Sequence, residues 1–287
     1  MSLQRTIRSE IECRNIGLHS GKKINMTIKP APADEGIVFV CKNGNGGSRI
    51  KADITNVRDT TLATTIGNNG TTVSTIEHLM SAFRGVGIDN AVVELDAAEV
   101  PIMDGSALPF VKLLNEAGTK AQGKLRKWFI VKKPVSVSQG TATVSILPSP
   151  VFQITYTIDF EHPLIGEQSY HIVFSKDIYE KHICAARTFG FLKEVEFLQA
   201  KGLALGGSLK NAIILNEDRI INKEGLRCPD EFVKHKILDA IGDLSLIGMP
   251  IIGHLVAYKS GHTLHSSLLK ELLSHRDNWE IVRRYTN

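Results

Sequence analysis

The apolar positions along the chain follow two different periods, and these periods predict the secondary structure. Alternating apolar residues with many β-branched side chains predict strands, because neighbouring side chains of a strand point to opposite faces of a sheet. Strands are predicted at residues 23–28, 36–40, 90–95, 129–137, 143–147, 151–158 and 253–258. Apolar residues that recur every three or four positions predict helices. Helices are expected at residues 75–83, 106–117, 192–200 and 233–244, and from residue 265 onward.

Both halves of the chain are predicted to contain strands followed by helices, with little alternation between single strands and single helices. This order favours α+β domains, in which helices cover a mainly antiparallel sheet. Residues 121–127 are polar and basic and are predicted to be a linker, and residues 43–47, rich in Gly and Asn, indicate a turn. We therefore expect two similar α+β domains, residues 1–125 and 126–287, although no residue-level repeat relates them.

Composition and charge narrow the classes of function. The 287 residues are 43% hydrophobic and 22% charged, which is typical of a globular protein. The net charge of +4 favours an anionic small substrate and is too weak and dispersed for nucleic-acid binding. The longest apolar stretch, residues 249–258, is interrupted by Pro250, Gly253 and His254, so no membrane span is expected. The four cysteines form no CxxC pair, which indicates that the protein resides in a reducing cytoplasm.

The predicted helix at residues 233–244 carries a pair of residues that could bind a metal ion. His235 and Asp239 are four residues apart and so lie on one helical face, and Asp243 lies one turn further. A His nitrogen and a carboxylate oxygen on one face can reach the same zinc ion at about 2.0–2.2 Å. The alternative is an exposed ion pair that supports the helix.

A second candidate is the sequence Glu77–His78 near the start of the helix predicted at residues 75–83. In the HExxH arrangement, too, a zinc-binding His is next to a Glu that acts as general base. The alternative is a capping box, because Ser74 and Glu77 also fit the pattern S-x-x-E. The sequence alone leaves both interpretations open.

Two further segments contain residue types that often serve in active sites. His262 follows a predicted strand and adjoins Gly261, in a loop position where functional groups collect. His265, in contrast, is expected to be an ordinary surface residue. Residues 202–211 contain three glycines, and a glycine-rich loop can hold a phosphate, but the segment matches no phosphate-binding fingerprint.

Ten short strings, in order along the chain, resemble the UDP-3-O-acyl-N-acetylglucosamine deacetylases. They are GLHSGK (17–22), STIEHL (74–79), GIDN (87–90), PIMDGSA (101–107), TIDFEHP (157–163), ARTFGF (186–191), GGSLKNA (206–212), GLR (225–227), FVKHKILDAIGDL (232–244) and AYKSGH (257–262). The strings span nearly the whole chain, so the resemblance covers both predicted domains. It implies an active site in the cleft between them.

The resemblance implies a zinc-dependent hydrolase of lipid A biosynthesis in Gram-negative bacteria. Its reaction removes the N-acetyl group of UDP-3-O-(3-hydroxyacyl)-N-acetylglucosamine, giving the free amine and acetate, and is the committed step of that pathway. One catalytic Zn²⁺ per chain would be bound by His78, His235 and Asp239, with water in the fourth position. Iron(II) suits the same ligands, because ligand type limits the metal without fixing it.

The same resemblance implies roles for five further residues. Glu77 would activate the zinc-bound water as general base, and His262 would protonate the leaving amine. Thr188 would bind the developing oxyanion, Asp243 would orient His262, and Lys236 would lie along the substrate head group.

Substrate-binding residues are also implied by the resemblance. Phe160 and Lys259 would contact the uridine end, and Phe189 would contact the substrate as well. An apolar passage for the acyl chain would be lined by Phe191, Leu192, Val195, Leu198, Ala204, Ser208, Ala212 and Ile214. His19 receives no role. Residues 135–150 contain no basic residue, so the binding of the diphosphate is left open.

The expected partner is the acylated UDP-sugar, with no nucleic acid and no transmembrane segment. We expect a cytoplasmic monomer that acts transiently at the inner membrane surface. Two alternatives are a zinc amidohydrolase of another N-acetyl sugar, and a metal-stabilised protein that binds nucleotide sugars without turnover. The apolar residues of the predicted passage argue against the first. Glu77 and His262, which are not needed merely to hold zinc, argue against the second.

Overall fold

The computed structural model describes residues 2–42 and 47–283, and two large sheets covered by helices, with three smaller sheets, form this part of the chain. The predicted α+β class, with mainly antiparallel sheets, is confirmed. The turn predicted at residues 43–47 lies almost entirely outside the described residues. None of the helices in the described ranges is long and apolar enough to cross a membrane.

The first half of the chain builds a five-stranded sheet in the order β2-β3-β9-β4-β5, in which only β4 and β9 pair in parallel. Its strands alternate as the sequence predicts: Ile24, Met26 and Ile28 of β3 are buried. Two smaller sheets, β6-β7-β8 and β1-β10, complete this half. The elements are β1 Leu3–Ile7, β2 Ile11–Ile16, β3 Lys23–Pro30, β4 Ile37–Cys41, β5 Ser48–Lys51, β6 Val57–Asp59, β7 Thr65–Asn68, β8 Thr71–Val73, α1 Glu77–Val86, β9 Ala91–Leu95, α2 Leu108–Ala117 and β10 Thr119–Leu125.

The second half builds a seven-stranded sheet around β18, which pairs with β13, β11 and β14. Strands β12, β19 and β15 extend it, and β16 and β17 form a separate parallel pair. The elements are β11 Trp128–Val131, β12 Val135–Gln139, β13 Ala142–Leu147, β14 Phe152–Phe160, β15 Gly166–Val173, α3 Lys176–Ile178, β16 Phe189–Phe191, α4 Leu192–Ala200, β17 Ile213–Leu215, α5 Glu231–Leu244, β18 Ile251–Tyr258, α6 His262–Ser274 and β19 Trp279–Val282. A single π-helical turn, Tyr179–Ile183, follows α3.

Helices α1 and α5 pack closely against each other. Gly242 of α5 makes this approach feasible, because a Cβ atom there would lie only 2.1 Å from the backbone oxygen of Glu77. Every residue of α5 except Lys236 is buried. The contact brings the start of α1, contributed by the first half of the chain, next to the polar residues of α5 from the second half.

Besides shifts of one to three residues at other element ends, three parts of the prediction differ from the structure. The strand predicted at residues 129–137 is two strands, β11 and β12, which pair with different neighbours. The linker predicted at residues 121–127 is wrong for most of its length, because β10 pairs with β1 there. Helix α6 begins at His262, three residues before the predicted start. The division of the chain into domains at residue 125 stays a prediction.

Candidate metal centre and active site

The first turn of α1 places Glu77 and His78 in the interior. Thr75, with a φ of 57°, turns the chain sharply just before the helix. The proposed capping box does not form: the Ser74 hydroxyl donates to the Ala98 carbonyl, and no side chain in the described part of the chain caps α1. Instead, Glu77 Oε2 accepts a hydrogen bond of 3.0 Å from the backbone N–H of Thr64. The Glu77 carboxylate is therefore directed into the site and does not turn back to its own helix.

Three buried side chains from α1 and α5 converge on one point. Asp239 Oδ1 lies 3.5 Å from Nε2 of His78 and 3.3 Å from Nε2 of His235. Ligand atoms on a tetrahedral zinc ion with bonds of 2.0–2.2 Å are separated by about 3.3–3.6 Å, so the spacing suits such an ion. Asp239 Oδ1 is buried and accepts no hydrogen bond from any residue that the structure describes. The unpaired oxygen and this spacing fit a metal ion bound by the three residues.

The protonation states of these residues also suit metal binding. The Nδ1 atom of His235 is 3.0 Å from the carbonyl of Ala186, and donation to it leaves Nε2 free to act as a ligand. Burial lowers the pKa of His235 to about 3, so the imidazole is neutral at pH 7. Burial alone would raise the pKa of Asp239, but His235 and Lys236 hold it well below its usual value. Metal ligands must be deprotonated, and both groups meet this condition at neutral pH.

A hydrogen-bonded network lies beside this centre. Asp243 Oδ2 is 2.7 Å from Nδ1 of His262 and 2.8 Å from Nδ1 of His265, and Asp243 Oδ1 accepts a 2.6 Å bond from the Thr64 hydroxyl. Asp243, His262 and His265 are also close enough to be considered as a second metal cluster. Separations of 2.7 and 2.8 Å are hydrogen-bond lengths, however, and are shorter than the separation of ligands on a zinc ion. We therefore interpret Asp243, His262 and His265 as a hydrogen-bonded network and not as a second metal site.

The charges in this network favour an ionised Asp243 carboxylate and a protonated His262 imidazole. Burial alone would lower the pKa of His262, but Asp243 outweighs it and raises the pKa to about 10. Burial would raise the pKa of Asp243, and the neighbouring His262 instead lowers it. His262 Nε2 lies 4.0 Å from Glu77 Oε1. Burial raises the pKa of Glu77, an effect that His262 and His78 partly offset. A buried carboxylate and an imidazole with a raised pKa thus face each other next to the candidate metal ligands.

An aromatic cluster lies between the candidate metal ligands and an open cleft. The Phe189 ring lies 6.3 Å from the His235 ring and 5.5 Å from the Phe160 ring, and Phe160 is 5.9 Å from Phe191. Phe160 and Phe191, together with Leu192, line a cleft of about 960 Å³. Charged residues, among them Glu161, Lys193 and Glu217, line the same cleft.

The remaining predicted site residues lie at different depths around this cluster. Lys236 Nζ is 3.0 Å from Asp239 Oδ2, and Lys259 Nζ is 3.0 Å from Asp159 Oδ2. Thr188 is half-buried and follows Ala186, the hydrogen-bond partner of His235, by two residues.

The residues predicted to line the acyl passage differ in how deeply they are buried. Leu192 lines the cleft, whereas α4 has no fully buried residue, so Val195 and Leu198 are only half-buried. Ala204, Ala212 and Ile214 are buried and Ser208 is exposed. Whether these residues line one passage stays a prediction.

Sequence reasoning missed two parts of the site, Thr64 and His265. The prediction that His265 is a surface residue is wrong, because its side chain is completely buried and bonded to Asp243. The available signal was the three-residue spacing of His262 and His265. If the helix is taken to begin at His262, this spacing places both rings on one face. Thr64 carries no such signal, because it lies far from the other site residues in sequence.

Comparisons with known proteins agree with this geometry. Residues 4–274 match the family model described as UDP-3-O-acyl N-acetylglycosamine deacetylase. The chain is 62% identical over 279 residues to the UDP-3-O-acyl-N-acetylglucosamine deacetylase of Syntrophus aciditrophicus, covering 97% of this chain and 89% of that protein. It is 50% identical over 284 residues to the protein of the same name from Saccharophagus degradans, covering 98% and 94%. It is 48% identical over 282 residues to that from Syntrophotalea carbinolica, covering 98% and 91%.

Proposed function

Since the chain belongs to the UDP-3-O-acyl N-acetylglycosamine deacetylase family, we propose that it hydrolyses the N-acetyl group of UDP-3-O-(3-hydroxyacyl)-N-acetylglucosamine, giving acetate and the free amine in lipid A biosynthesis. The observation that carries the mechanistic part of this proposal is the convergence of His78, His235 and Asp239 next to the facing pair Glu77 and His262. A metal centre beside a base and an acid is what hydrolysis of an amide requires.

We propose that His78, His235 and Asp239 hold one divalent ion, with zinc the best match to two imidazoles and one carboxylate. When bound, this ion supplies a Lewis acid that polarises the acetamide carbonyl and lowers the pKa of water. Iron(II) suits the same ligands. Lys236 contacts Asp239 Oδ2, not the oxygen that faces the two imidazoles, so it leaves the metal side of the carboxylate open.

The protein side chains carry out the proton transfers. Glu77, held by the Thr64 N–H, takes a proton from the attacking water as the oxygen–carbon bond forms. His262 gives its Nε2 proton to the sugar nitrogen as the carbon–nitrogen bond breaks, and Asp243 stabilises its charged form. Each positioned acid or base typically contributes about 10²- to 10⁴-fold to the rate. We assign Thr188 to the developing oxyanion, where a hydroxyl donor stabilises negative charge.

We propose that the cleft binds the acyl chain of the substrate. Phe160, Phe191 and Leu192 offer apolar surface in the cleft, and Phe189 lies between Phe160 and His235. Burying each CH₂ group contributes about 0.8 kcal/mol. We propose that the 3-O-acyl chain lies against Phe191 and Leu192, and that Phe160 contacts the uridine end. Lys259 is proposed to contact the uridine end beside Phe160.

The test is acetate release from three compounds: the acylated UDP-sugar, UDP-N-acetylglucosamine and N-acetylglucosamine. We expect kcat/KM for the acylated compound to be higher by at least about 10³-fold, since several buried CH₂ groups are lost without it. Equal rates on all three would favour an amidohydrolase of another N-acetyl sugar. Binding of the acylated compound without acetate release would favour a protein that only binds nucleotide sugars. The monomeric state, the cytoplasmic location and the contact with the inner membrane surface stay predictions.

A further inference from the structure

One oxygen atom of Asp243 is shared by two imidazoles. Its Oδ2 atom lies 2.7 Å from Nδ1 of His262 and 2.8 Å from Nδ1 of His265, while Oδ1 accepts the hydroxyl of Thr64 at 2.6 Å. An ionised carboxylate only accepts hydrogen bonds, so both ring nitrogens must donate to it. Only one of these two histidines has a place in the proposed proton transfers.

The local structure explains how both rings reach the same atom. Helix α6 begins at His262, and residues three apart on a helix are neighbours on one face. The backbone N–H of His265 donates to Gly261 and completes the first turn of the helix. The first turn of α6 therefore directs both rings towards α5, where Asp243 lies.

The environment of His265 is unusual for a core residue. Its side chain is 0% exposed, and an imidazole in such a place is unfavourable unless its nitrogens have partners. Nδ1 has Asp243, and Nε2 lies 3.4 Å from the hydroxyl of Tyr156. The Tyr156 hydroxyl in turn donates to the carbonyl of Ser260 at 2.7 Å, two residues before His262. His265 and Tyr156 thus contact both the carboxylate that holds His262 and the backbone that leads to it.

We propose that His265 is a positioning residue: by donating Nδ1–H to Asp243, it keeps that carboxylate turned towards His262 while His262 gives up and regains its proton. The inference rests on the proposed deacetylation. With donors from Thr64, His262 and His265, both carboxylate oxygens are fixed. Without His265, Oδ2 would keep only the bond to His262, and the carboxylate could turn to find a second donor or water.

Three substitutions at this position separate positioning from packing. In His265→Asn, the side-chain NH₂ takes the place of Nδ1–H and can still donate to Asp243. In His265→Gln, the amide reaches instead to the place of Nε2, near Tyr156. His265→Leu removes both ring nitrogens and replaces the imidazole with an apolar side chain of similar volume. A purely structural role would require only a stable fold, whereas positioning requires a donor at the place of Nδ1.

We expect His265→Leu to lower kcat on the acylated UDP-sugar by about tenfold or more, because the variant lacks a hydrogen bond to a charged group that positions the proton donor. KM should change by less than about twofold, because His265 does not bind substrate. His265→Asn should recover kcat to within about threefold of the wild type, and His265→Gln should not. The control is His275→Asn, at an exposed histidine just after α6, which should leave both constants unchanged. Melting temperature and metal content are measured for every variant.

A readout that does not depend on turnover separates this inference from the proposed function. In ¹⁵N-histidine-labelled protein, the Nδ1–H resonance of His262 should change in His265→Leu and return in His265→Asn. Wild-type kcat in His265→Leu would overturn the inference, as would equal losses in the Leu and Asn variants of equal stability. If the wild type releases no acetate, the proposed function fails, and an unchanged His262 resonance in His265→Leu would then overturn the positioning role independently.

Discussion

Replacing Glu77 with glutamine tests the proposed general base without changing the shape of the side chain. Glutamine keeps an oxygen that can accept the Thr64 N–H, which lies 3.0 Å from Glu77 Oε2. It also leaves His78, His235 and Asp239 in place. What the amide lacks is the capacity to accept a proton from water. The substitution therefore removes one chemical function and nearly nothing else.

The expected loss of stability is small. The bond from the Thr64 N–H changes from a charged to a neutral acceptor, which costs about 1 kcal/mol. Burial raises the pKa of Glu77, so replacing the charged form also relieves some unfavourable burial of charge. For a protein of this size, 1 kcal/mol corresponds to about 2–4 °C in melting temperature. The expected loss of kcat is much larger, about 10²-fold or more, as is usual for general base catalysis.

The assay is acetate release at saturating substrate, together with metal content and a thermal melt of the same preparation. We expect Glu77→Gln to keep its metal and melt within a few degrees of the wild type, with kcat lowered by about 10²-fold or more. Near-normal turnover with full metal content would remove Glu77 from the mechanism. A fall in melting temperature of more than about 10 °C would mean that Glu77 acts mainly in stability.

Three further predictions concern other parts of the site. Asp239→Ala should lose metal on dialysis, because one of the three proposed ligands is removed, and full retention in metal analysis would show that Asp239 is not a ligand. Burial would lower the pKa of His262, but Asp243 raises it. The proposed mechanism requires protonated His262, so we expect activity to fall as the pH rises through that pKa. Asp243→Asn should therefore move the alkaline limb of the pH–kcat profile to lower pH, and an unmoved limb would contradict the assignment. Gly242→Ala should cost about 1–3 kcal/mol in a denaturant melt, because its Cβ would meet the Glu77 backbone 2.1 Å away, and wild-type stability would refute the close packing of α1 and α5.

The sequence predicts helices of this fold better than its polar strands. The helix at residues 233–244 follows from its apolar period, and α5 spans nearly the same residues. Strand β10 is mostly polar and exposed, so its composition resembles that of a linker, although backbone pairing with β1 forms the strand. Backbone hydrogen bonds do not depend on side-chain polarity, and a pattern of apolar residues cannot reveal them.

The candidate site shows the same difference between local and distant information. The spacing of His235 and Asp239 is by itself enough to indicate a shared helical face. That His78 joins them depends on the packing of α1 against α5, across more than 150 residues of sequence, and only the family resemblance indicates it. The three-residue spacing of His262 and His265, like the four-residue spacing of His235 and Asp239, is that of neighbours on one helical face. It indicates a shared face only if α6 begins at His262, three residues before the start that the apolar pattern predicts.

A metal titration of the chelated protein tests the proposed function most directly. The protein is stripped with a chelator, dialysed and supplied with increasing Zn²⁺ while acetate release from UDP-3-O-(3-hydroxyacyl)-N-acetylglucosamine is followed. We expect turnover to disappear on stripping and to return in proportion to added zinc up to about one equivalent per chain, since three ligands form one site. Acetate release at the original rate by protein shown to contain no metal would contradict a metal-dependent deacetylase.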